Sequence, residues 1–451
     1  MQILPFYAGV RSYVRDNIIY FVNSEAGTWA AMPETYAKFL TDETSSKHQE
    51  IFDTLRKNKI LRSGQSESVK SRRPVKPLLV KLLTTGKCNL QCVYCFNSKF
   101  VRDKSMTSEI LRQSIDYVFS NPYAQNGISF VIYGGEPLIE RELLYEAVRL
   151  IRGRETSLDV KLEIITNGTL LTKSDVEFFR ENEVGIIISF DGLQSFHDKN
   201  RSSSEKVMQS IKMLEDMNYV SHSNILCTVT REMSSRLYDI AIFLQEHGFN
   251  SVEFLPLRLL GQAEGHEEIS SDAALYIKSF MEIINAVEDG KINRLKVRSI
   301  LRMLMPLLTG QTIHGELGCR RCGAGRNSIA INYDGSITGC DMIPDKISPV
   351  IGNVWDGINN IAELDKLIFP VKPHSINSSC SKCTWFGFCR SGCPGASASD
   401  YGSCNTRHLF TCALNKSIYP YLLERIVKGN GKLQEYFKRH TKLEKSNHED
   451  S

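Results

Sequence analysis

Cys88, Cys92 and Cys95 stand in Cys88-Asn-Leu-Gln-Cys92-Val-Tyr-Cys95, spaced by three and then two residues. Three thiolates on one short loop can wrap one face of a four-iron cluster and leave its fourth iron open. A closed cluster wants a fourth cysteine close by. The next along the chain, Cys227, sits alone in an apolar run, where a buried small hydrophobe is its simplest role. A zinc knuckle is the other chemistry such a trio permits.

A second group of cysteines lies far downstream. Cys319-x2-Cys322-x12-Gly335-x4-Cys340 is followed by Cys380-x2-Cys383-x5-Cys389-x3-Cys393, then by Cys404 and Cys412. Asn332-Tyr-Asp-Gly335 is a turn signal between two short β runs, so a hairpin should draw Cys322 and Cys340 together. The chain holds 13 cysteines, an odd number, and is far too long to need disulfide staples. In a reducing compartment, clustered cysteines are metal ligands or catalytic groups before they are cross-links. A pair of zinc ribbons is the alternative to iron here, because Cys-x2-Cys pairs are a common zinc pattern.

The elements around these loops must hold them in place. Leu78–Thr85, Ile128–Tyr133, Lys161–Thr166, Val184–Phe190, Asn224–Thr230 and Ser251–Leu257 are short β-rich runs, each followed by a segment of helical period. Alternating strands and helices predict a parallel sheet with helices outside it. Six units make an α/β fold, a partial (β/α)6 barrel resembling a TIM barrel with one side open, over residues 77–290. Active groups in such barrels lie on loops after the strands, and the first cysteine trio follows the first strand. Residues 1–65 form a small α+β unit. Strands are expected at Asn17–Asn23 and Gly27–Met32, then helices at Glu34–Leu40 and His48–Leu61, then a polar linker at Gly64–Arg73. A helical bridge at 291–318, within a helical stretch from Asp272 to Leu308, leads to the cysteine-rich domain at 319–415. Residues 416–451 give a last helix near Tyr419–Lys428 and a disordered tail from Lys442.

Bulk properties narrow the function. Hydrophobic residues make up 42% and charged residues 24%, as in ordinary globular proteins rather than disordered ones. A net charge of +4 without a basic stripe argues against nucleic acid. The chain shows no secretory signal and no membrane-spanning stretch, so the expectation is a cytoplasmic protein that does not engage a membrane.

The Cys88/Cys92/Cys95 spacing, with Tyr94 before the last cysteine, closely resembles the signature of the radical SAM superfamily. Further motifs agree with that resemblance: Tyr133-Gly134-Gly135-Glu136-Pro137, Thr166-Asn167-Gly168, Ser189-Phe190-Asp191-Gly192 and His197-Asp-Lys-Asn-Arg201. The later cysteines resemble the SPASM domain, which carries auxiliary clusters in relatives that include the anaerobic sulfatase maturases. The resemblance spans roughly residues 77–412.

That resemblance implies an enzyme with three 4Fe–4S clusters and S-adenosyl-L-methionine (SAM), acting as an oxidoreductase on a peptide or protein. Cys88, Cys92 and Cys95 would hold the SAM cluster. Tyr94, Gly134, Gly135, Glu136, Asn167, Ser189, Arg201 and Leu255 would form the SAM site, with Arg201 on the carboxylate and Leu255 against the adenine. The first auxiliary cluster would use Cys319, Cys322, Cys340 and Cys393, and the second Cys380, Cys383, Cys389 and Cys412, with Cys404 as a rival to Cys412. The Cys319–Cys322 gap is shorter than in sulfatase maturases; should one of the two therefore not ligate, the first auxiliary cluster would have an open iron to bind a substrate thiolate. Asp341, directly after Cys340, would be a catalytic base. The N-terminal unit resembles a short winged-helix-like, PqqD-like element, which binds a leader peptide as an added strand. The implied function is maturation of a ribosomally made precursor peptide by a 5′-deoxyadenosyl radical, with a cysteine thioether favoured. The alternatives are formylglycine formation in a sulfatase, carbon–carbon cross-linking and epimerisation. The implied partners are the precursor peptide and an external electron donor, flavodoxin or ferredoxin.

Overall fold

The computed structural model describes residues 6–7, 9–36, 49–61, 77–99, 103–310, 322–343, 347–368, 378–389 and 391–446. Three antiparallel strands come first: β1 (Val10–Arg15), β2 (Ile18–Asn23) and β3 (Thr28–Pro33). Asp16 and Asn17 both take positive φ, which a two-residue hairpin needs and which these short polar side chains tolerate. The sequence pattern pointed to β2 and β3 but not β1, an edge strand with two arginines and little burial, whose pattern resembles a polar loop. Helix α1 (Gln49–Lys57) falls within the expected second helix. Of the first expected helix, only residues 34–36 are described, as one turn; its remainder and the linker lie outside the described residues.

Strict alternation along β2 gives the small sheet two apolar faces. Ile19 and Phe21 pack with Phe52 and Leu55 of α1 in a local cluster. Tyr20 and Val22 point the other way, into the main core of the molecule.

All six expected barrel strands are present and parallel. They are β4 (Leu78–Thr85), β5 (Ile128–Gly134), β6 (Val160–Thr166), β7 (Val184–Ser189), β8 (Ser223–Val229) and β9 (Ser251–Pro256). Between them run α2 (Ser108–Ser120), α3 (Arg141–Arg152), α4 (Lys173–Glu181), α5 (Gln194–Asn200) with α6 (Ser204–Asp216), and α7 (Leu237–Glu246). Local chemistry sets their ends. Thr107 caps α2 by accepting from the Ile110 amide, and Thr172 with Asp175 forms a reciprocal capping box on α4. Leu78, Val80 and Leu82 share the main core with Leu111, Ile115 and Val118 of α2. The period-two alternation therefore turns Leu79, Lys81 and Leu83 into the barrel interior.

Helix α8 (Ala273–Glu288), the short strand β10 (Lys296–Val297) and α9 (Arg298–Thr309) follow, so the bridge is not wholly helical. Next come β11 (Ser328–Ile331), β12 (Ser336–Thr338), β13 (Val350–Asn353) and β14 (Gly357–Ile358). The turn expected at Gly335 joins β11 to β12, with Gly335 at φ +80°. β11 pairs in parallel with β4, so a single sheet runs β10-β9-β8-β7-β6-β5-β4-β11-β12-β13-β14. The cysteine-rich region therefore begins as an extension of the barrel sheet, covering the edge that β4 would otherwise leave unpaired.

Short helices α10 (Ile361–Ile368), α11 (Ser378–Ser381), α12 (Phe386–Cys389) and α13 (Pro394–Tyr401) carry the later cysteines. Helix α14 (Leu409–Lys428) starts ten residues before the helix expected near Tyr419 and includes Cys412. Helix α15 (Lys432–Ser446) is anchored by Leu433, Tyr436 and Phe437, buried in the main core, and its last turn runs through residues 442–446 of the tail expected to be disordered; the rest of that tail lies outside the described residues. Among the described residues, no helix is long and apolar enough to cross a membrane.

Candidate active site

The loop after β4 carries the first cysteine trio to the carboxyl ends of the barrel strands. Backbone hydrogen bonds stitch it there: the Gly135 amide donates to Thr85 O at 2.8 Å and the Glu136 amide to Lys87 O at 2.7 Å. A Cβ on Gly134 would lie 2.3 Å from Thr85 O, and one on Gly135 would lie 2.1 Å from Lys87 O. Only glycine permits that approach. From the opposite wall, the Gln262 amide donates to Cys95 O at 3.0 Å.

All three thiols are partly accessible. Burial pushes Cys88 up to about 11, and burial raises Cys92 against the opposing pull of Arg201. A bound metal's positive charge favours the thiolate form that such burial opposes. The Leu90 amide already donates to Cys88 Sγ at 3.4 Å, a contact that suits a cluster thiolate. The glycine cradle and the donor set thus fit an iron–sulfur cluster with a small ligand beside it. Among the described residues, no three His, Cys, Asp or Glu side chains close around a single metal ion.

The other predicted residues come to the same strand ends. Glu136 is fully buried and accepts from the Leu138 amide at 3.1 Å, Thr166 Oγ1 at 2.8 Å and the Asn167 amide at 2.6 Å. It braces β5 to β6 rather than presenting a free carboxylate. Burial pushes it up to about 7. Asn167 donates to Asn89 Oδ1 in the cysteine loop at 2.9 Å. Ser189 is buried at the end of β7, and among the described residues nothing hydrogen-bonds its hydroxyl. Leu255 is half-buried on β9, and Cys227 is fully buried, as a small hydrophobe would be.

Arg201, the residue expected on the SAM carboxylate, is already tied into the strand ends. Its Nε donates to Asp191 Oδ1 at 3.2 Å and its Nη2 to Thr228 Oγ1 at 3.4 Å, while Nη1 lies 3.9 Å from Cys92 Sγ. The guanidinium also sits 5.1 Å above the Tyr94 ring. Burial keeps Tyr94 protonated, and its hydroxyl donates to Asp191. Asp191 also accepts from Asn200 Nδ2 and the Thr228 amide, each at 3.2 Å. Of the Ser189–Gly192 motif, sequence reasoning gave Ser189 a role in the site and Asp191 none. The missed signal was a lone acid at a strand end with an arginine ten residues on. Asn97 was also missed. It donates to Gly134 O at 2.7 Å, and among the described residues its buried Oδ1 meets no partner.

The later cysteines form two further groups. Cys380, Cys383, Cys389 and Cys412 line one cavity, and Asn415 donates to Cys389 Sγ at 3.1 Å. Cys404 is not on that cavity and is 1% exposed in the main core. Cys322 and Cys393 line a larger cavity of about 660 Å3, which also touches Leu79, Arg258 and Arg302 at the barrel interior. Cys340 lies close enough to Cys393 to feel its charge. Cys319 lies outside the described residues. Asp341 is not free: both carboxylate oxygens accept from Lys81 Nζ, at 2.7 and 2.8 Å. The segment after β9 links the two regions. Arg258 and Asp400 both meet His408 Nε2, at 3.2 and 2.6 Å, and the Leu259 amide donates to Asp400 at 3.2 Å.

Residues 82–236 match the model of the radical SAM superfamily. The cysteine-type anaerobic sulfatase-maturating enzyme of Clostridium perfringens is 25% identical over 374 residues, covering 78% of this chain and 98% of that protein. The radical SAM cyclopropyl synthase TigE of Paramaledivibacter caminithermalis is 23% identical over 441 residues, covering 91% of this chain and 90% of that one. Among solved structures, native anSMEcpe with bound AdoMet superposes with a TM-score of 0.65 at 25% identity, over 78% of this chain and 98% of its own. Streptococcus suis SuiB bound to its precursor peptide SuiA shares the fold at a TM-score of 0.57 and 14% identity, over 91% and 99%.

Proposed function

We propose that this chain, a radical SAM enzyme with a SAM site and a 4Fe–4S cluster, installs a cross-link in a ribosomally made precursor peptide, joining a cysteine sulfur to a carbon of another residue. When bound, SAM and its cluster supply a 5′-deoxyadenosyl radical that abstracts hydrogen from an unactivated carbon. Cys88, Cys92 and Cys95 hold that cluster, and the Gly134–Gly135 backbone, Ser189 and Asn97 face SAM. Two auxiliary 4Fe–4S clusters lie beyond it. One is on Cys322, Cys340 and Cys393, with Cys319 as a candidate fourth ligand, and the other is on Cys380, Cys383, Cys389 and Cys412. Flavodoxin or ferredoxin delivers the electron, and the N-terminal sheet receives the leader peptide along an edge.

The observation that carries this reading is the reach of the relatives. Residues 77–451 are 375 of the 451, or about 83%. The maturase match, at 78%, is short enough to need no more than that part. The TigE match, at 91%, must enter the first 76 residues, and the SuiB superposition, also at 91%, does the same. Both matches thus reach into the N-terminal part of this chain, one to a radical SAM cyclopropyl synthase and one to a protein solved with a bound precursor peptide, which supports a peptide substrate here.

A second reading, formylglycine formation in a sulfatase, is favoured by Asp341 directly after Cys340 and by the 98% coverage of the maturase. Mass spectrometry of a peptide co-expressed with the enzyme separates the two. The cross-link removes two hydrogens and keeps the sulfur, whereas formylglycine formation from cysteine loses the sulfur and gains an oxygen. A sulfur-free product overturns the first reading. Cys88→Ala should abolish 5′-deoxyadenosine formation from SAM and dithionite, and undiminished formation would remove the trio from its role.

A further inference from the structure

We propose that Lys81 is a positioning residue of the first auxiliary site, anchoring and neutralising Asp341 so that the sulfurs of Cys340 and Cys393 face a compensated pair rather than a bare carboxylate. This rests on the reading that those cysteines hold an auxiliary cluster.

Lys81 is the one charge in β4, Leu-Leu-Val-Lys-Leu-Leu-Thr-Thr. Its register turns it inward beside Leu79, which lines the cavity shared with Cys322 and Cys393. The Lys81 side chain keeps 28% exposure, whereas that of Asp341 keeps 4%. The ammonium bonds both carboxylate oxygens. Asp341 Oδ1 is 3.8 Å from Cys340 Sγ, and the charges of both Cys340 and Cys393 reach Lys81.

The pair spans two parts of the chain that backbone pairing joins only indirectly. β11 bonds β4, with Ala330 opposite Lys81, and β12 bonds β11. Asp341 lies three residues beyond β12 and folds back over β11 to reach the lysine. Stability alone is a poor reason to keep such a pair, since apolar replacement of a buried ion pair is often neutral or favourable. A charge beside cluster sulfurs, by contrast, tunes the reduction potential. Removing only the lysine leaves a negative charge against an already anionic centre, which disfavours taking up an electron.

The test uses anaerobically reconstituted full-length protein, with iron and sulfide counted and each cluster followed by EPR during a reductive titration. Lys81→Met should shift one auxiliary cluster to lower potential. Lys81→Arg should restore it, and so should the double variant Lys81→Met/Asp341→Asn, which removes both charges together. Potentials in Lys81→Met equal to those of the wild type overturn the proposal. So does a double variant that stays shifted as far as Lys81→Met, because the effect would then be a distortion and not a charge. Wild-type protein with iron for one cluster only overturns the auxiliary-cluster reading itself, and the role of Lys81 with it.

Discussion

Replacing Tyr20 with alanine should destabilise the whole molecule, not just the small sheet that carries it. Tyr20 is fully buried, and its face of β2 belongs to the core shared with the barrel and the C-terminal helices. Around this seam, Trp29 Nε1 donates to Leu307 O of α9 at 2.8 Å. A Cβ on Gly387 of α12 would lie 2.6 Å from the Gly27 amide nitrogen, so the β2–β3 turn rests directly on the helix that bears Cys389. Truncating a buried aromatic costs about 3–5 kcal/mol. At roughly 2–4 °C per kcal/mol for units of 150–250 residues, the midpoint should fall by on the order of 10 °C, and by less if the unfolding unit is larger. The ion pair of Lys428 with Asp16 crosses the same seam at the surface, so Asp16→Asn should leave the midpoint in place. Thermal melts give the midpoint, and hydrogen exchange read by mass spectrometry gives its location. Peptides from β2, α9 and α14 should lose protection together. If β2 alone exchanges faster while α14 and the midpoint match the wild type, the sheet is a tethered module and the argument fails.

Three further outcomes are expected. Cys412→Ser should remove the iron of one cluster, whereas Cys404→Ser should leave the iron content whole; equal iron loss in both would place Cys404 on the metal. Gly135→Ala forces a Cβ into Lys87 O and displaces the Cys88 loop. Misplacement by about 1 Å can cost on the order of 100-fold, so SAM cleavage measured as 5′-deoxyadenosine should drop by about that factor. Glu136 holds its proton up to about pH 7 when folded but only to about 4.5 when unfolded. Between those values the unfolded state binds fewer protons, so the contribution of Glu136 is fully present below pH 4.5 and is lost as pH rises toward 7, by about 3 kcal/mol in total. Melting of wild type and Glu136→Gln from pH 5 to 8 checks this, since the glutamine variant should lack that share of the slope; parallel slopes would exclude Glu136 as its source.

The barrel strands and the cysteine trio were legible in the sequence because their signals are local. Apolar runs followed by helical periods define strands and helices within a few residues, and ligands on one loop meet wherever that loop goes. The Gly335 hairpin was legible for the same reason. Strand β1 and helix α15 were not, because tertiary packing stabilises them against polar local composition.

Pairings across long separations needed the fold. Asp191 looks like a turn residue until the barrel brings Tyr94, Thr228 and Arg201 around it. Lys81 and Asp341 are 260 positions apart, and only the parallel pairing of β11 with β4 makes them neighbours. Spacing could not choose between Cys404 and Cys412, because both follow the earlier cysteines at workable distances. Helix α14, capped by His408, carries Cys412 to the cavity of Cys380, Cys383 and Cys389, while Cys404 turns into the core. Residue type and short-range spacing therefore determined which chemistry this chain can host, since thiolates on one loop need no other element to meet. Which charges, thiols and strands face one another was decided only by the tertiary structure, because those contacts depend on the register and direction of elements far apart in the chain.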